Sequence, residues 1–386
     1  MSYDLQVFVP HTAEGDAFVG LVGEGRGLAV SQVAAGQVTV VRGGRGRYAF
    51  SVEGPHDIDA DDVPSEVDVA VLSVSYRYDI LVEGSAAADI PHAVRFARRL
   101  ARHCGGAVLD LQTDEMWAPA GTRTVERPQR ESRIRAVDLG WYCLREDFAA
   151  EPAEVFIAAA ERLLPEALPQ RFGDYEPLRG KLAKVGASGF ITAWREADWA
   201  LFTSGSPPCT GGYLESGGDR GAREPFWSMS LTFLADPLEE PGWRSAVRRL
   251  FTALASDLPA FYATAEVTAG HIWSGRSLMS DSATEQRISP LRNERWLGLS
   301  PVPAWWTWFG AHYRDAAASL PQDRVTQYSS GLMYEASDSP RRGVELKALD
   351  QWVPADLFAC VEPGYDGSEL PIPLKQARHL PTALRP

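Results

Sequence analysis

Apolar and polar positions alternate along Tyr3–Val9 (YDLQVFV), which predicts a short strand at the start of the chain. Gln37–Val41 and Arg47–Val52 flank the turn RGGRG and predict a hairpin, since glycine supplies the positive φ that tight turns need. The longest β pattern covers Val67–Val82, with Val67, Val69 and Val71 on one face and Leu72, Val74, Tyr76 and Tyr78 on the other. The period then changes. Ile90, Ala93, Ala97, Leu100, Ala101 and Cys104 recur at three- and four-residue spacing and predict a helix over 89–104. Asp89 can cap it, Pro91 suits its first turn, and Gly105 can stop it. Ala107–Leu111 reads as the next strand, so the first part of the chain is expected to pack a helix on an antiparallel sheet.

Residues 118–135 (APAGTRTVERPQRESRIR) carry no apolar period and are rich in turn formers, as a linker would be. Pattern resumes with a strand at Ala136–Leu144 and a helix from Pro152 to near Leu168. A strand pair is expected at Phe190–Trp194 and Trp199–Thr203, and another strand at Phe226–Leu234. Trp243, Val247, Leu250, Leu254 and Leu258 form a helical stripe, and Phe261–Trp273 follows as a strand. Residues 274–295 are irregular, a helix is expected to begin near Pro303, and the Pro-rich chain from Pro363 should lie extended across the surface. A chain of 386 residues exceeds the size at which one core stops growing. The expected fold class is therefore α+β with two domains, 1–117 and 136–386, each a mostly antiparallel sheet packed with helices.

Composition adds exclusions. With 45% hydrophobic and 23% charged residues the chain reads as an ordinary globular protein. Its net charge of -13 argues against nucleic acid, which needs a basic face, and suits a basic protein partner as well as plain solubility. Cys104, Cys143, Cys209 and Cys360 are far apart and form no CxxC pair, which fits a reducing compartment. The start MSYDLQVFVPHTAEGD lacks the basic and apolar regions of a signal peptide. No apolar run approaches the ~20 residues that span a bilayer. The expected location is the cytoplasm, away from any membrane.

Candidate chemistry is sparse. HDIDADD (56–62) spaces Asp57, Asp59 and Asp61 like a calcium loop, but that motif needs glycine where Asp62 stands and glutamate where Asp68 stands. An acidic loop for a partner, comprising Asp57, Asp59, Asp61 and Asp62, is the better reading, with no metal. Gly23, Gly25 and Gly27 do not fit a dinucleotide fingerprint and no Walker lysine exists, so no cofactor is assigned. The histidines form no HExxH or His-Cys cluster, and GASGF (186–190) is not a nucleophile elbow. His271 could pair with Glu266 as acid and base if the strand bends, although a solvated loop histidine is the simpler reading. No catalytic residue is assigned.

Two segments suggest recognition. VPAWWTWFGAHY (302–313), read as a helix, is aromatic around its girth and suits core packing; Trp305, Trp306 or Tyr313, where exposed, would anchor an interface. In LPQRFGDYEPL (168–178), Pro169 and Pro177 stiffen a loop that projects Arg171, Asp174, Tyr175 and Glu176. Rigid presentation lowers the entropy cost of docking. Equally, Phe172 and Tyr175 could plug into the core.

The order of strand, helix, LLPEALPQRFGDYEPL, tryptophan-rich segment and WWTWFG before a Pro-rich tail resembles bacterial immunity proteins of polymorphic toxin systems. It is most similar to immunity protein family fifty-two and its relatives, over roughly 136–386, and GGAVLDLQTDEMW (105–117) resembles a segment that recurs in such proteins. The resemblance implies a cytoplasmic, non-enzymatic antidote that neutralises a cognate toxin by stoichiometric protein–protein binding. Many such toxins are nucleases with basic clefts, so a basic nuclease domain would pair electrostatically with this acidic chain. Two alternatives stay open: a hydrolase with a dispersed inter-domain site using His271 and nearby carboxylates, and an oligomeric scaffold associating through its Trp-rich segment.

Overall fold

The computed structural model describes residues 3–13, 15–34, 36–44, 46–113, 115–124, 133–148, 150–175, 178–216, 225–274, 277–285, 287, 291–292, 295–346, 353–358, 360–361, 373–375 and 377–385. They fall into two compact units, Met1–Gln129 and Arg130–Pro386.

The first unit runs β1 (Tyr3–Val9), α1 (Gly15–Gly23), β2 (Leu28–Ala34), β3 (Gln37–Arg42), β4 (Arg47–Asp57), α2 (Ser65–Ala70), β5 (Tyr76–Val82), α3 (Ile90–His103), β6 (Ala107–Asp110), β7 (Glu115–Ala118) and β8 (Gly121–Thr124). The strands form one antiparallel sheet in the order β2-β3-β4-β5-β1-β6-β7-β8. Both faces of β1 are buried. Leu5, Val7 and Val9 meet α1 and α3, where Phe18, Phe50 and Phe96 interlock, while Phe8 joins Val67, Val71, Leu109 and Met116 on the opposite face.

Several readings change here. Val67–Val82 is not one strand: Val67 and Val71, one helical turn apart, hold α2 to the sheet, and the strand begins at Tyr76. The glycine-rich start of the chain contains α1, whose Phe18, Leu21 and Val22 face the core. Asp89 does not cap α3. Its fully buried carboxylate instead takes Arg42 Nε at 2.6 Å and Arg47 Nη2 at 3.0 Å. The hairpin of β7 and β8 also occupies the start of the segment read as linker.

The second unit runs β9 (Ile134–Leu144), α4 (Pro152–Leu163), β10 (Arg171–Gly173), β11 (Gly180–Lys181), α5 (Leu182–Glu196), β12 (Ala200–Ser204), β13 (Cys209–Glu215), β14 (Phe226–Leu234), α6 (Pro241–Asp257) and β15 (Ala260–Ser274). Short strands β16 (Ser277–Met279), β17 (Leu291–Arg292) and β18 (Arg295–Trp296) precede β19 (Trp306–Gly310), β20 (Val325–Gln327) and β21 (Gly331–Glu335). The main sheet has the order β11-β10-β12-β13-β14-β9-β15-β19-β21-β20, with β16 pairing β15. Every strand pair in it is antiparallel, so the described residues form an α+β fold built on two large sheets.

Alternation divides this sheet. Val137, Leu139, Trp141 and Cys143 of β9 face α4 and α6, and Trp141 Nε1 donates to the Phe251 carbonyl at 3.1 Å. On the other face Tyr142, Phe226, Phe261, Tyr262, Phe309 and Tyr313 surround Trp296, whose Nε1 donates to Tyr313 Oη at 2.8 Å. The chain near its end returns to this face, seating Ala377, Leu380 and Leu384.

Phe190–Trp194 lies in α5, not in a strand: Phe190 and Trp194, four apart, are its buried positions. The expected helix after Pro303 is β19 followed by a 3-10 segment, Ala311–Ser319. Trp306 and Trp308 point to the helical layer, while Thr307 and Phe309 point to the opposite face. A run buried on both faces carries apolar residues on both, with only Thr307 between its tryptophans, so strand and helix read alike in sequence.

Candidate partner-binding cleft

The Pro-stiffened loop becomes an open cleft of about 380 Å3 at one edge of the second sheet. β10 supplies Phe172 and Gly173, the loop adds Asp174, Tyr175 and Arg179, and α5 brings Ala193 and Glu196. Each piece has a local cause. Phe172 is buried with its ring edge-on to Phe190 at 5.1 Å, which ties β10 to α5. Gly180 carries no side chain because a Cβ there would lie 2.4 Å from the Phe172 ring. Gly186 interrupts the start of α5 with φ of 67°, a left-handed conformation that side chains resist. Beyond it the helix runs on to Glu196, and Trp194 Nε1 anchors it by donating to the Glu215 carbonyl at 2.6 Å.

Exposed apolar side chains occur on the cleft lining and elsewhere on or next to the elements that form it. Tyr175 is 62% exposed and Trp199, edge-on to Phe202, is 58% exposed; Val185 of α5 is also exposed. Large exposed aromatics are characteristic of binding surfaces. Arg195 is held back by paired contacts to Glu151 at 2.6 to 3.0 Å, which leaves Glu196 as the charged group that α5 contributes to the cleft.

Among the residues read from sequence, Arg171, Asp174 and Tyr175 do sit together, with Asp174 and Tyr175 lining the cleft. Glu176 lies outside the described residues. Asp57, Asp59 and Asp62 lie in the first unit, at the end of β4 and in the turn after it; the side chain of Asp61 lies outside the description. Beside that turn Val69 and Leu72 are 80% and 89% exposed. Trp305, Trp306 and Tyr313 are corrected as contact residues. Trp305 stacks on Trp306 at 4.0 Å inside the core, and all three side chains are buried. Arg179 and Glu196 were missed; the place of Glu196 depends on α5, part of which the sequence reading took for a strand.

The His271 idea also resolves. β15 does bend: its register on β9 shifts between Thr268 and His271, and Gly270 takes φ of 92°. The bend brings His271 Nε2 within 2.8 Å of Thr268 Oγ1, which itself donates to Asp138 at 3.4 Å. Asp138 also accepts from Thr232 at 2.7 Å and lies 3.5 Å from Arg287. Burial, more than any neighbouring charge, pushes the His271 pKa below its ordinary 6.5. The nearby cavity, lined by Tyr262, Thr264, Glu266 and Ser300, measures about 10 Å3, room for a single water molecule.

Cys104, Cys143 and Cys209 are buried free thiols, and burial pushes Cys209 up to about 12, which makes it inert. Among the described residues no group of His, Cys, Asp and Glu is placed to hold a metal ion, and no helix is long and apolar enough to cross a membrane.

Neither a protein-family model nor a curated protein matches the chain. Among solved structures, the Pseudomonas aeruginosa T6SS protein PA0821 is similar over 55% of this chain and 74% of that one, at 11% identity and a TM-score of 0.40. A likeness this distant bears on neither the fold nor the activity.

Proposed function

We propose that this chain is a cytoplasmic binding protein that neutralises a cognate toxin through a stoichiometric complex. The observation that carries this reading is the open cleft at the sheet edge with exposed Tyr175 on its lining, in a unit that also exposes Trp199 and Val185. Exposed aromatics cost solubility, and a chain retains them where a partner covers them. The acidic balance of the chain, -13, would speed the approach of a basic partner. The resemblance of 136–386 to immunity proteins of polymorphic toxin systems supplies the class of partner.

The scaffold alternative loses its footing. The Trp-rich segment that would have joined scaffold subunits is core, and His271 and Asp138 are buried in one hydrogen-bonded group.

The test uses the tagged full chain, recovered from its own cells with its partner, and stoichiometry from light scattering. The captured protein, expressed alone, should arrest growth, and co-expression of this chain should restore it. The double variant Y175A/W199A, with unchanged thermal stability, should bind at least about 100-fold more weakly. A harmless partner sinks the neutralisation reading; full protection by the double variant moves recognition to another surface.

A further inference from the structure

We propose that the cleft is an anchor pocket for one arginine side chain of the protein partner; this rests on the binding-protein reading above. Three features of the lining point to that ligand. The floor is apolar, formed by Phe172, Ala193, Ala197 and Leu201, and suits the methylene stem of a long side chain. Its charged rim has two carboxylates, Asp174 from the loop and Glu196 from the helix, against the single guanidinium of Arg179. Among the described residues neither Asp174 nor Glu196 has an ion-pair partner, so both are available to an incoming cation.

The backbone adds to this field. Ala193, Glu196 and Ala197 form the last turn of α5, so the negative end of the helix dipole opens on the cleft. The helix's last-turn cation, Arg195, is engaged with Glu151 and does not cancel that end. Tyr175 on the rim offers an aromatic face, against which a guanidinium stacks well. A volume of about 380 Å3 exceeds what one side chain fills, leaving room for the partner's backbone at the mouth. Arginine fits better than lysine, because its planar fork can meet a carboxylate through two bonds while its face lies on the ring.

The experiment titrates N-acetyl-argininamide, and its uncharged near-isostere N-acetyl-citrullinamide, into the full-length protein. Methyl resonances of Ala193, Ala197 and Leu201 are followed by NMR. The expected result is saturable shifts at these methyls with the arginine compound, weak or absent with the citrulline compound, and about tenfold weaker binding in both D174N and E196Q. Circular dichroism checks that each variant is folded. Equal shifts with the two compounds, or none with either, overturn the proposal.

A captured toxin separates this from the broader reading. If the toxin is neutralised undiminished by D174N and E196Q, the pocket is wrong and the binding function stands. Saturable arginine binding in a chain that neutralises nothing upholds the pocket and removes the function.

Discussion

Asp138 offers a direct test of whether the buried polar group around His271 is structural. The substitution is Asp138→Ala, at a residue only 5% exposed on the sheet face opposite α4 and α6. Three contacts vanish. The 2.7 Å bond from Thr232 is a charge-assisted hydrogen bond worth about 1.5–3 kcal/mol. The 3.4 Å bond from Thr268 is long and adds little. Arg287, 3.5 Å away and more than a third exposed, contributes about 0–1 kcal/mol after solvent screening. Removing the carboxylate also relieves its desolvation, while the freed Thr232 hydroxyl can reach water. The net expectation is a loss of about 2–3 kcal/mol. Asp138→Asn, which keeps an acceptor for Thr232, should lose about 1 kcal/mol. Urea unfolding followed by tryptophan fluorescence reads the right unit, because every tryptophan except Trp117 lies in it. A loss below about 0.5 kcal/mol for Asp138→Ala would refute the structural assignment.

Other outcomes follow from the same geometry. Trp306→Ala should cost about 3–5 kcal/mol by opening the core beside Phe251, read as a lower urea midpoint; intact stability with lost partner binding would restore it as an interface anchor. Gly180→Ala should destabilise by about 1–3 kcal/mol, because its Cβ would meet the Phe172 ring at 2.4 Å; an unchanged melting temperature would contradict that packing. Two titrating groups, buried His271 and partly buried Glu215, act in opposite directions. The folded His271 resists protonation that the unfolded chain accepts near pH 6.5, so its contribution is complete above that pH and fades on acidification. Burial raises the Glu215 carboxyl above its ordinary 4.5, so stability is reduced at neutral pH and recovers as pH falls toward 4.5. Stability measured from pH 7.5 to pH 4.5 should therefore lose its acid-side fall in H271Q and its opposing slope in E215Q; unaltered profiles would deny both roles.

What the sequence alone determined was the helices with one buried face and the long apolar strands. α3 and α6 lie where their spacing placed them, because a half-buried helix must repeat its apolar residues at its own period, and β9 and β14 lie where continuous apolar runs of strand length placed them. The α+β class followed from the same patterns. Tertiary structure decided the rest. β19 is buried on both faces, since α6 covers one and the aromatic cluster the other, so its residues carry too little period to distinguish strand from helix. α2 keeps just Val67 and Val71 against the sheet, too few to outweigh the valine-rich β pattern around it. The cleft shows the same division. Proline and exposed-type side chains marked the loop as stiff and polar, but Glu196 and Ala197 stand across from Asp174 only because Phe172 packs on Phe190 and draws α5 alongside β10. Such distant pairing depends on contacts between segments, and a periodic pattern records only which way each segment faces.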